Sequence, residues 1–177
     1  MIGEMVKVWR ARTWMKKNVP FLYSWHAYVG YEMDLFDSFT EPASIQEVAL
    51  SRNIEMDLLE QWVEVGITIK HLKRVEAEKV TTRNRWKLPT SKKDPHSSGI
   101  LLKEMMELHI PALLSYPQLL RNQTKQHFNS DVHGATVAKT SILLERFAFP
   151  KVQKAIKKYN VDSILDLGCG EGGYVKR

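Results

Sequence analysis

Residues 161–174, with the sequence VDSILDLGCGEGGY, carry the strongest structural signal in this chain of 177 residues. The apolar run from Ile164 to Leu167 predicts a buried strand, and the glycines after it predict a tight turn that opens a helix near Gly172. Because glycine has no Cβ, such a turn lets the backbone approach a ligand closely. The start of the helix then presents unpaired N–H groups to that ligand. The pattern therefore predicts a binding site for a small molecule.

The glycines alone leave the kind of ligand open. Gly168, Gly170 and Gly173 satisfy the G-x-G-x-x-G pattern of dinucleotide sites. Asp166 lies two residues before the first glycine, where its carboxylate would face the negative pyrophosphate of a dinucleotide. It suits instead a ligand with positive charge, such as an amino-acid ammonium or a sulfonium. A glycine turn with a purely structural role is the remaining alternative.

The run from Asp166 to Gly172 resembles the first motif of class I S-adenosylmethionine-dependent methyltransferases, in which an acidic residue precedes glycines at alternating positions. The resemblance covers only this short segment, but strand, acid and glycines agree in order. It implies that the cofactor is S-adenosylmethionine and that four residues hold its methionine end: Asp166, Gly168, Gly170 and Gly172. It assigns no catalytic residue.

The N-terminal part of the sequence has apolar residues at helical spacing. Residues 4–17 predict one helix, and Asn18 is the predicted cap of a second helix with Pro20 in its first turn. The sequence Ser44-Ile45-Gln46-Glu47 is a capping box that opens a short third helix. A fourth helix is predicted to end at Gly66 in a left-handed conformation.

After Gly66 apolar and polar residues alternate. Residues 67–70 and 86–88 show the alternation of strands, and the basic stretch between them is expected to form a hairpin, although a helix that continues to Leu72 is equally compatible with the sequence. Helix, short helix, helix and hairpin is the order of a winged-helix domain. With Met33–Asp37 and Ser44–Ala49, this part resembles the winged-helix dimerisation domain of small-molecule O-methyltransferases. The resemblance implies that residues 1–89 pair two subunits and help to shape a substrate pocket.

The remaining segments complete a mostly α fold. Residues 90–160 are expected to be linking helices, among them one from Ile100 to His109, one from Val132 to Ala148, and one that Pro150 opens. Residues 161–177 would begin a Rossmann-like α/β domain that binds S-adenosylmethionine.

The sequence holds one strand of the α/β sheet that such an enzyme requires, and it ends at Arg177 before any residue expected to bind the ribose or act as a base. One strand and one turn do not bury a sheet core. We therefore expect the parent protein to be a methyltransferase and this N-terminal portion, truncated after the first motif, to be inactive alone. The expected partners are a second copy, giving a homodimer, and a small-molecule methyl acceptor in the full enzyme.

The composition favours a cytoplasmic protein. The single cysteine, Cys169, excludes an internal disulfide framework, and no apolar stretch is long enough to span a membrane. The net charge of +6 is concentrated between Lys70 and Lys93, which predicts a solvated loop face or, alternatively, contact with phosphates.

Two other functions compete with methyl transfer: a winged-helix DNA-binding transcriptional regulator and a stand-alone dimerisation module. The basic hairpin supports the regulator. Against it, four acidic residues on the presumed recognition helix would repel DNA phosphates: Glu55, Asp57, Glu60 and Glu64. Nucleic acid is therefore the less favoured partner.

The six histidines include no close pair at metal-ligand spacing, so no metal site is predicted. Each is expected to be a surface or core residue. For His109 and His133 a place in the substrate pocket is the minor alternative, because the resemblance puts such residues on the linking helices.

Overall fold

The structure is a computed structural model that describes residues 2–76, 78–122, 127–165 and 167. The chain divides into two compact units, Met1–Lys92 and Lys93–Arg177. Among the described residues helix predominates and three strands form one small sheet, which confirms the predicted mostly α class.

The first unit contains four helices and three strands among its described residues. In chain order they are α1 (Ile2–Glu32), α2 (Leu35–Ser38), β1 (Ala43–Ser44), α3 (Ile45–Arg52), α4 (Met56–Thr68), β2 (Leu72–Glu76) and β3 (Lys79–Thr82). The strands are antiparallel in the order β1-β3-β2, so the first strand lies beside the second strand of the hairpin. A short 3-10 turn follows at Arg85–Lys87.

The core of the first unit lies where α4 packs against α2 and the hairpin. Its most deeply buried apolar side chains are Phe36, Phe39, Leu59, Val63, Leu72 and Val80. Removing a side chain of this size from water stabilises the fold by roughly 1.5–3 kcal/mol. This core holds β1 and α3 against the hairpin. The first half of α1 lies outside it.

The predicted capping box at the start of α3 is confirmed. The backbone N–H of Glu47 donates to the Ser44 hydroxyl at 3.2 Å, and the Glu47 carboxylate accepts from the Ser44 N–H at 3.0 Å. Hydrogen bonds that the carboxylate accepts from Ser44, the one from its backbone N–H most strongly, lower the pKa of the Glu47 carboxyl group. The motif pairs two N–H groups that the helix leaves unpaired.

We expect Ser44→Ala to lower the free energy of unfolding by about 1 kcal/mol, because the Glu47 N–H loses its partner. Ser51→Ala is the matched control, since Ser51 lies in the same helix and caps nothing. Urea denaturation of both variants measures the difference. An equal loss of stability in both variants would show that the capping hydrogen bond of Ser44 contributes nothing beyond the general effect of replacing a serine in this segment.

The first two predicted helices are one helix, which corrects the break expected at Asn18. Helix α1 continues through Pro20, and the Asn18 side chain donates to the Trp14 carbonyl at 2.9 Å instead of capping. Proline removes one backbone hydrogen bond, but Lys16 and Pro20 are exposed. Water can therefore satisfy the carbonyl that proline leaves unpaired.

The predicted end of the fourth helix and the strand positions are also corrected. Helix α4 continues through Gly66 to Thr68, and Lys70 is the residue with left-handed backbone, at φ 67°. A Cβ at Gly66 would collide with His26 and Leu72, so close packing explains this glycine. The expected hairpin forms within the basic segment, but the strand-like residues on either side of it do not form strands: residues 67–68 end α4, and Arg85–Lys87 form a 3-10 turn.

The described part of the second unit is helical: α5 (Gly99–Glu104), a π-helical turn (Met105–His109), α6 (Ile110–Leu114), α7 (Tyr116–Asn122) and α8 (Ser130–Tyr159). The predicted helix from Ile100 to His109 is thus present, with its second half widened. Helix α8 includes Pro150, which corrects the predicted break there. Its first turn is capped by the Asn129 side chain, which accepts from two backbone N–H groups.

Candidate functional site

The predicted cofactor residues Asp166, Gly168, Gly170 and Gly172 lie outside the described residues. Of their surroundings, residues 161–165 have no regular secondary structure and Leu167 lies in a turn, so the strand predicted from Ile164 does not form there. A strand needs a neighbour to pair its N–H and C=O groups, and no strand accompanies this segment in the described part of the second unit. The side chains of Ile164, Leu165 and Leu167 are accordingly exposed.

The second unit contains a cavity of about 310 Å³ between the π-helical turn and the start of α8. It combines apolar surface with carboxylate, imidazole and amide groups, and it is lined by Glu107, Leu108, Pro111, Ala112, His127, Phe128, Asn129 and His133. A cavity that mixes apolar walls with a few polar groups is the usual form of a small-molecule site.

The π-helical turn has a local cause in Pro111. The N–H of Ile110 donates to the Met105 carbonyl, five residues back, and Pro111 follows without an N–H of its own. Widening the helix before the proline ring relieves the clash that the ring would otherwise make. Such turns frequently occur at functional sites, and this one forms a wall of the cavity.

His109 and His133, which the sequence suggests as minor candidates for a substrate pocket, have different surroundings in the structure. His133 lines the cavity and its ring lies 6.2 Å from that of Phe128. His109 is exposed and its Nε2 lies 3.2 Å from a carboxylate oxygen of Glu104. A pocket position is therefore observed for His133.

A buried histidine pair is a feature of the first unit that the sequence did not reveal. The His26 ring is fully buried and stacks on the Trp62 indole, with centroids 4.1 Å apart and planes 8° apart. Its Nε2 lies 3.1 Å from the Trp62 carbonyl oxygen, and its Nδ1 lies 3.0 Å from Nδ1 of His71. The two histidines are 45 residues apart, so no local spacing could have indicated the pair.

The geometry fixes where the protons lie in the neutral pair. A carbonyl oxygen only accepts, so His26 Nε2 carries the hydrogen that it donates to Trp62. His26 Nδ1 is then an acceptor, and His71 Nδ1 must donate to it. Nε2 of His71 is left with a free lone pair.

Both histidines favour the neutral state. Burial lowers the pKa of His26 from 6.5 to about 3, with a further lowering by His71 and a partial opposing effect of the hydrogen bond to Trp62. Burial also lowers the pKa of the half-buried His71. Desolvation disfavours the charged form of an imidazole, so the pair is uncharged at pH 7.

His71 also lines an open cavity of about 260 Å³ on the first unit, together with Tyr23, Ile69, Lys70, Asn84, Lys87 and Leu88. The cavity lies between α1, the end of α4 and the segment after the hairpin. Both cations that line it, Lys70 and Lys87, are exposed. No carboxylate lines the cavity among the residues that the structure describes.

An exposed apolar stripe runs along the first half of α1. We define it as Met5, Val8, Trp9, Met15 and Val19, whose side chains are between 40% and 73% exposed. At 100° per residue these five side chains fall within one half of the helix surface, and the exposed Val6 and Trp14 extend the apolar surface beyond the stripe. Contiguous apolar surface of this kind usually marks a protein interface.

The charges on the hairpin and on α4 have opposite signs. Asp57, Glu60 and Glu64 are exposed on α4, and Glu64 forms an ion pair with Arg74 of β2. Part of the positive charge of the hairpin is therefore balanced by this helix.

Neither a metal-ligating cluster nor a membrane-spanning helix is found among the described residues. Within the described ranges, no three or more potential metal-ligating side chains come together. In the same residues, no helix combines the length and the apolar character that crossing a membrane requires.

Comparison with known proteins gives a structural match and no match by sequence. No protein-family model matches the chain, and no curated protein matches it significantly. The fold is similar to that of human N-acetylserotonin methyltransferase, whose crystal structure is of its complex with SAM. The TM-score is 0.59 with 13% identity over 78% of this chain, which spans 46% of the length of that enzyme. At this identity the likeness establishes the fold: the mostly helical arrangement of this chain occurs in a methyltransferase.

Proposed function

We propose that this chain is the N-terminal portion of an S-adenosylmethionine-dependent methyltransferase, and that it pairs two subunits and shapes the pocket for a small-molecule methyl acceptor. The observation that carries the proposal is the fold likeness to a methyltransferase in complex with SAM. The sequence from Asp166 to Gly172 is a second line of support, because it resembles the first motif of S-adenosylmethionine-dependent methyltransferases.

In this proposal residues 1–89 are a winged-helix dimerisation domain, residues 90–160 are linking helices, and residues 161–177 begin a Rossmann-like domain. The order of α2, β1, α3, α4 and the hairpin, with β1 beside β3, supports the winged-helix assignment. Asp166, Gly168, Gly170 and Gly172 would hold the methionine end of the cofactor. We place the protein in the cytoplasm, where its single cysteine stays reduced.

The cofactor would supply the methyl group on its sulfonium, and the protein would position the acceptor and exclude water. The cavity beside the π-helical turn is the candidate for the acceptor, with His133 and Asn129 as its polar contacts. Only the first strand of a Rossmann-like sheet is contained in the sequence. We therefore expect the 177-residue chain by itself to show no methyl transfer and no saturable binding of S-adenosylmethionine in calorimetry.

The decisive test of the parent function is the gene sequence beyond the codon for Arg177. We expect an open reading frame of alternating strands and helices in which an acidic residue closes the next strand. A stop codon directly after Arg177 would contradict the proposal and leave the dimerisation module or the regulator.

The apolar stripe supports the homodimer and gives a testable prediction. Replacing Trp9 by glutamate would place a charge in a desolvated interface, so we expect the dimer dissociation constant to rise by at least about 30-fold. Sedimentation velocity over a concentration series measures the change.

Trp86→Glu is the matched control for Trp9→Glu. Trp86 is 81% exposed and follows the hairpin, outside the apolar stripe, so the same change of charge there should leave dimerisation unchanged. Equal weakening by both variants, or a wild-type chain that stays monomeric at its solubility limit, would contradict an interface on α1.

The second candidate, a DNA-binding regulator, is favoured by the basic hairpin alone. The carboxylates of Asp57, Glu60 and Glu64 on α4 would face the phosphates and oppose binding. A gel-shift titration with duplex DNA distinguishes the two, because a regulator would bind with a steep dependence on salt concentration.

A further inference from the structure

We propose that the cavity around His71 in the first unit binds inorganic phosphate free in solution. The site shares no residue with the proposed cofactor and acceptor sites, and the inference does not depend on the methyltransferase proposal. It rests on the hydrogen-bond order of the buried histidines and on the charges that line the cavity.

The first observation is the acceptor left by the histidine pair. Because the Trp62 carbonyl fixes the hydrogen on His26 Nε2, His71 uses its own hydrogen at Nδ1 and presents Nε2 as a lone pair. Within the residues described, no group donates to this nitrogen, and His71 lines the cavity. A ligand with an O–H or N–H donor can therefore bond this nitrogen where it contacts His71 in the cavity.

The second observation is the charge at the mouth. Lys70 and Lys87 line the cavity, and neither forms an ion pair with a carboxylate of the described chain; the Lys87 Nζ lies over the Trp86 ring, 4.9 Å from its centroid. Asn84 adds an amide that can donate. These groups favour an anion.

The two observations together select an anion that also carries an O–H group. Inorganic phosphate has this combination at neutral pH, since hydrogen phosphate keeps one P–OH that can donate to His71 Nε2 while its other oxygens accept from the lysines and Asn84. A sulfate ion and the phosphodiester of a nucleic acid lack the O–H donor, and a phosphate monoester loses its last acidic proton at about pH 6. A volume of about 260 Å³ admits a phosphate ion.

The experiment compares inorganic phosphate with sulfate at pH 7.5 and equal ionic strength, using the full 177-residue chain. The imidazole nitrogen resonances of His71 are followed by NMR, because the Nε2 shift reports whether that nitrogen accepts a hydrogen bond. We expect phosphate to shift Nε2 saturably and to bind about tenfold more tightly than sulfate, the usual value of one charge-assisted hydrogen bond. Equal binding of the two anions, or binding without movement of the Nε2 resonance, would overturn the proposal.

Variants of the lysines test the charge contribution without touching the buried pair. Lys70→Gln combined with Lys87→Gln should weaken phosphate binding about tenfold. Lys73→Gln, which removes a charge outside the cavity, should leave it unchanged. An equal loss with Lys73→Gln would indicate unspecific attraction by the basic segment and contradict a built site.

A lipid headgroup could present the same phosphate chemistry. Vesicles of phosphatidylcholine containing phosphatidic acid distinguish the source, because this lipid presents a terminal phosphate group at a membrane surface. We expect no flotation of the chain with these vesicles. Flotation that is lost in the Lys70→Gln, Lys87→Gln variant would contradict the assignment to a free ligand.

Discussion

On acidification from pH 7 to pH 4, the free energy of unfolding of the chain is expected to fall by several kcal/mol, beginning near pH 6.5. The cause is the buried pair of His26 and His71. Burial lowers the pKa of His26 from 6.5 to about 3 in the folded chain, whereas the unfolded chain takes up its proton at the ordinary value. The unfolded state therefore binds more protons throughout this window, and acid favours it.

The sign and size of the effect follow from linkage. Stability from a histidine with lowered pKa is complete above pH 6.5 and is lost as the pH falls towards about 3. Each pH unit within this window removes about 1.4 kcal/mol for one proton, or about 5 kcal/mol for His26 over the whole range. His71, whose pKa is also lowered by burial, acts in the same direction.

Carboxyl groups affect the free energy of unfolding over a different range of pH. The pKa of Glu47 is lowered from 4.5 by its capping hydrogen bonds, so its contribution is lost only as the pH falls below that value. The decline between pH 6.5 and pH 5 therefore belongs to the histidines. Urea denaturation followed by tryptophan fluorescence at half-unit intervals of pH resolves the two windows.

His26→Leu separates the pair from other acid effects. The variant is expected to be less stable at pH 7, because the His71 N–H and the Trp62 carbonyl lose their partner, but its stability should fall less steeply towards pH 5. His127→Gln, which removes an exposed histidine from the second unit, should keep the wild-type slope. A wild-type slope in His26→Leu would refute the assignment.

Local signals in the sequence predicted the parts of the fold that depend on neighbouring residues. The capping box from Ser44 to Glu47 was predictable because its hydrogen bonds connect residues three apart. A hairpin in the basic segment was predictable, but the residues of its strands were not, because the alternation at residues 67–70 and 86–88 lies outside them. Burial of Leu72 and Val80 against α4 fixes the strands within the basic segment, and that contact is tertiary.

The errors at Pro20 and Pro150 have a common physical reason. Proline at the start of a helix and proline inside a helix leave the same local pattern, and the cost of one missing hydrogen bond is small where water can replace it. Both helices, α1 and α8, therefore continue where the sequence predicted a break. The histidine pair was beyond reach for a different reason, since it depends on how α1 packs against the end of α4.

For the candidate sites the sequence and the structure describe different regions. The motif from Asp166 to Gly172 predicts a cofactor by local chemistry, and that prediction lies outside the described residues. The cavity near His133 and the cavity near His71 arise from helix packing, which a single sequence does not encode in any short pattern. The motif therefore indicates which cofactor would bind, and the cavities indicate where small molecules could be held.

The second large effect is expected at Gly30, near the end of α1. A Cβ at this position would collide with the ring of Phe36, so Gly30→Ala should lower the free energy of unfolding by about 1–3 kcal/mol, even after the better helix propensity of alanine is included. Phe36 is only 1% exposed, and its ring lies 5.8 Å from that of His26 and 5.6 Å from that of Trp62, so it has no room to withdraw.

Gly3→Ala in the same helix is the matched control for Gly30→Ala. No atom of the described residues lies within 4 Å of a Cβ built at Gly3, so alanine there adds helix propensity without a clash. Its effect should be between zero and a gain of about 1 kcal/mol, less where the end of the helix frays. Opposite signs at the two positions would establish that Gly30 is required for the close approach of α2 to α1. A neutral or stabilising Gly30→Ala would mean that the Phe36 ring moves aside, and the packing around His26 described here would then be wrong.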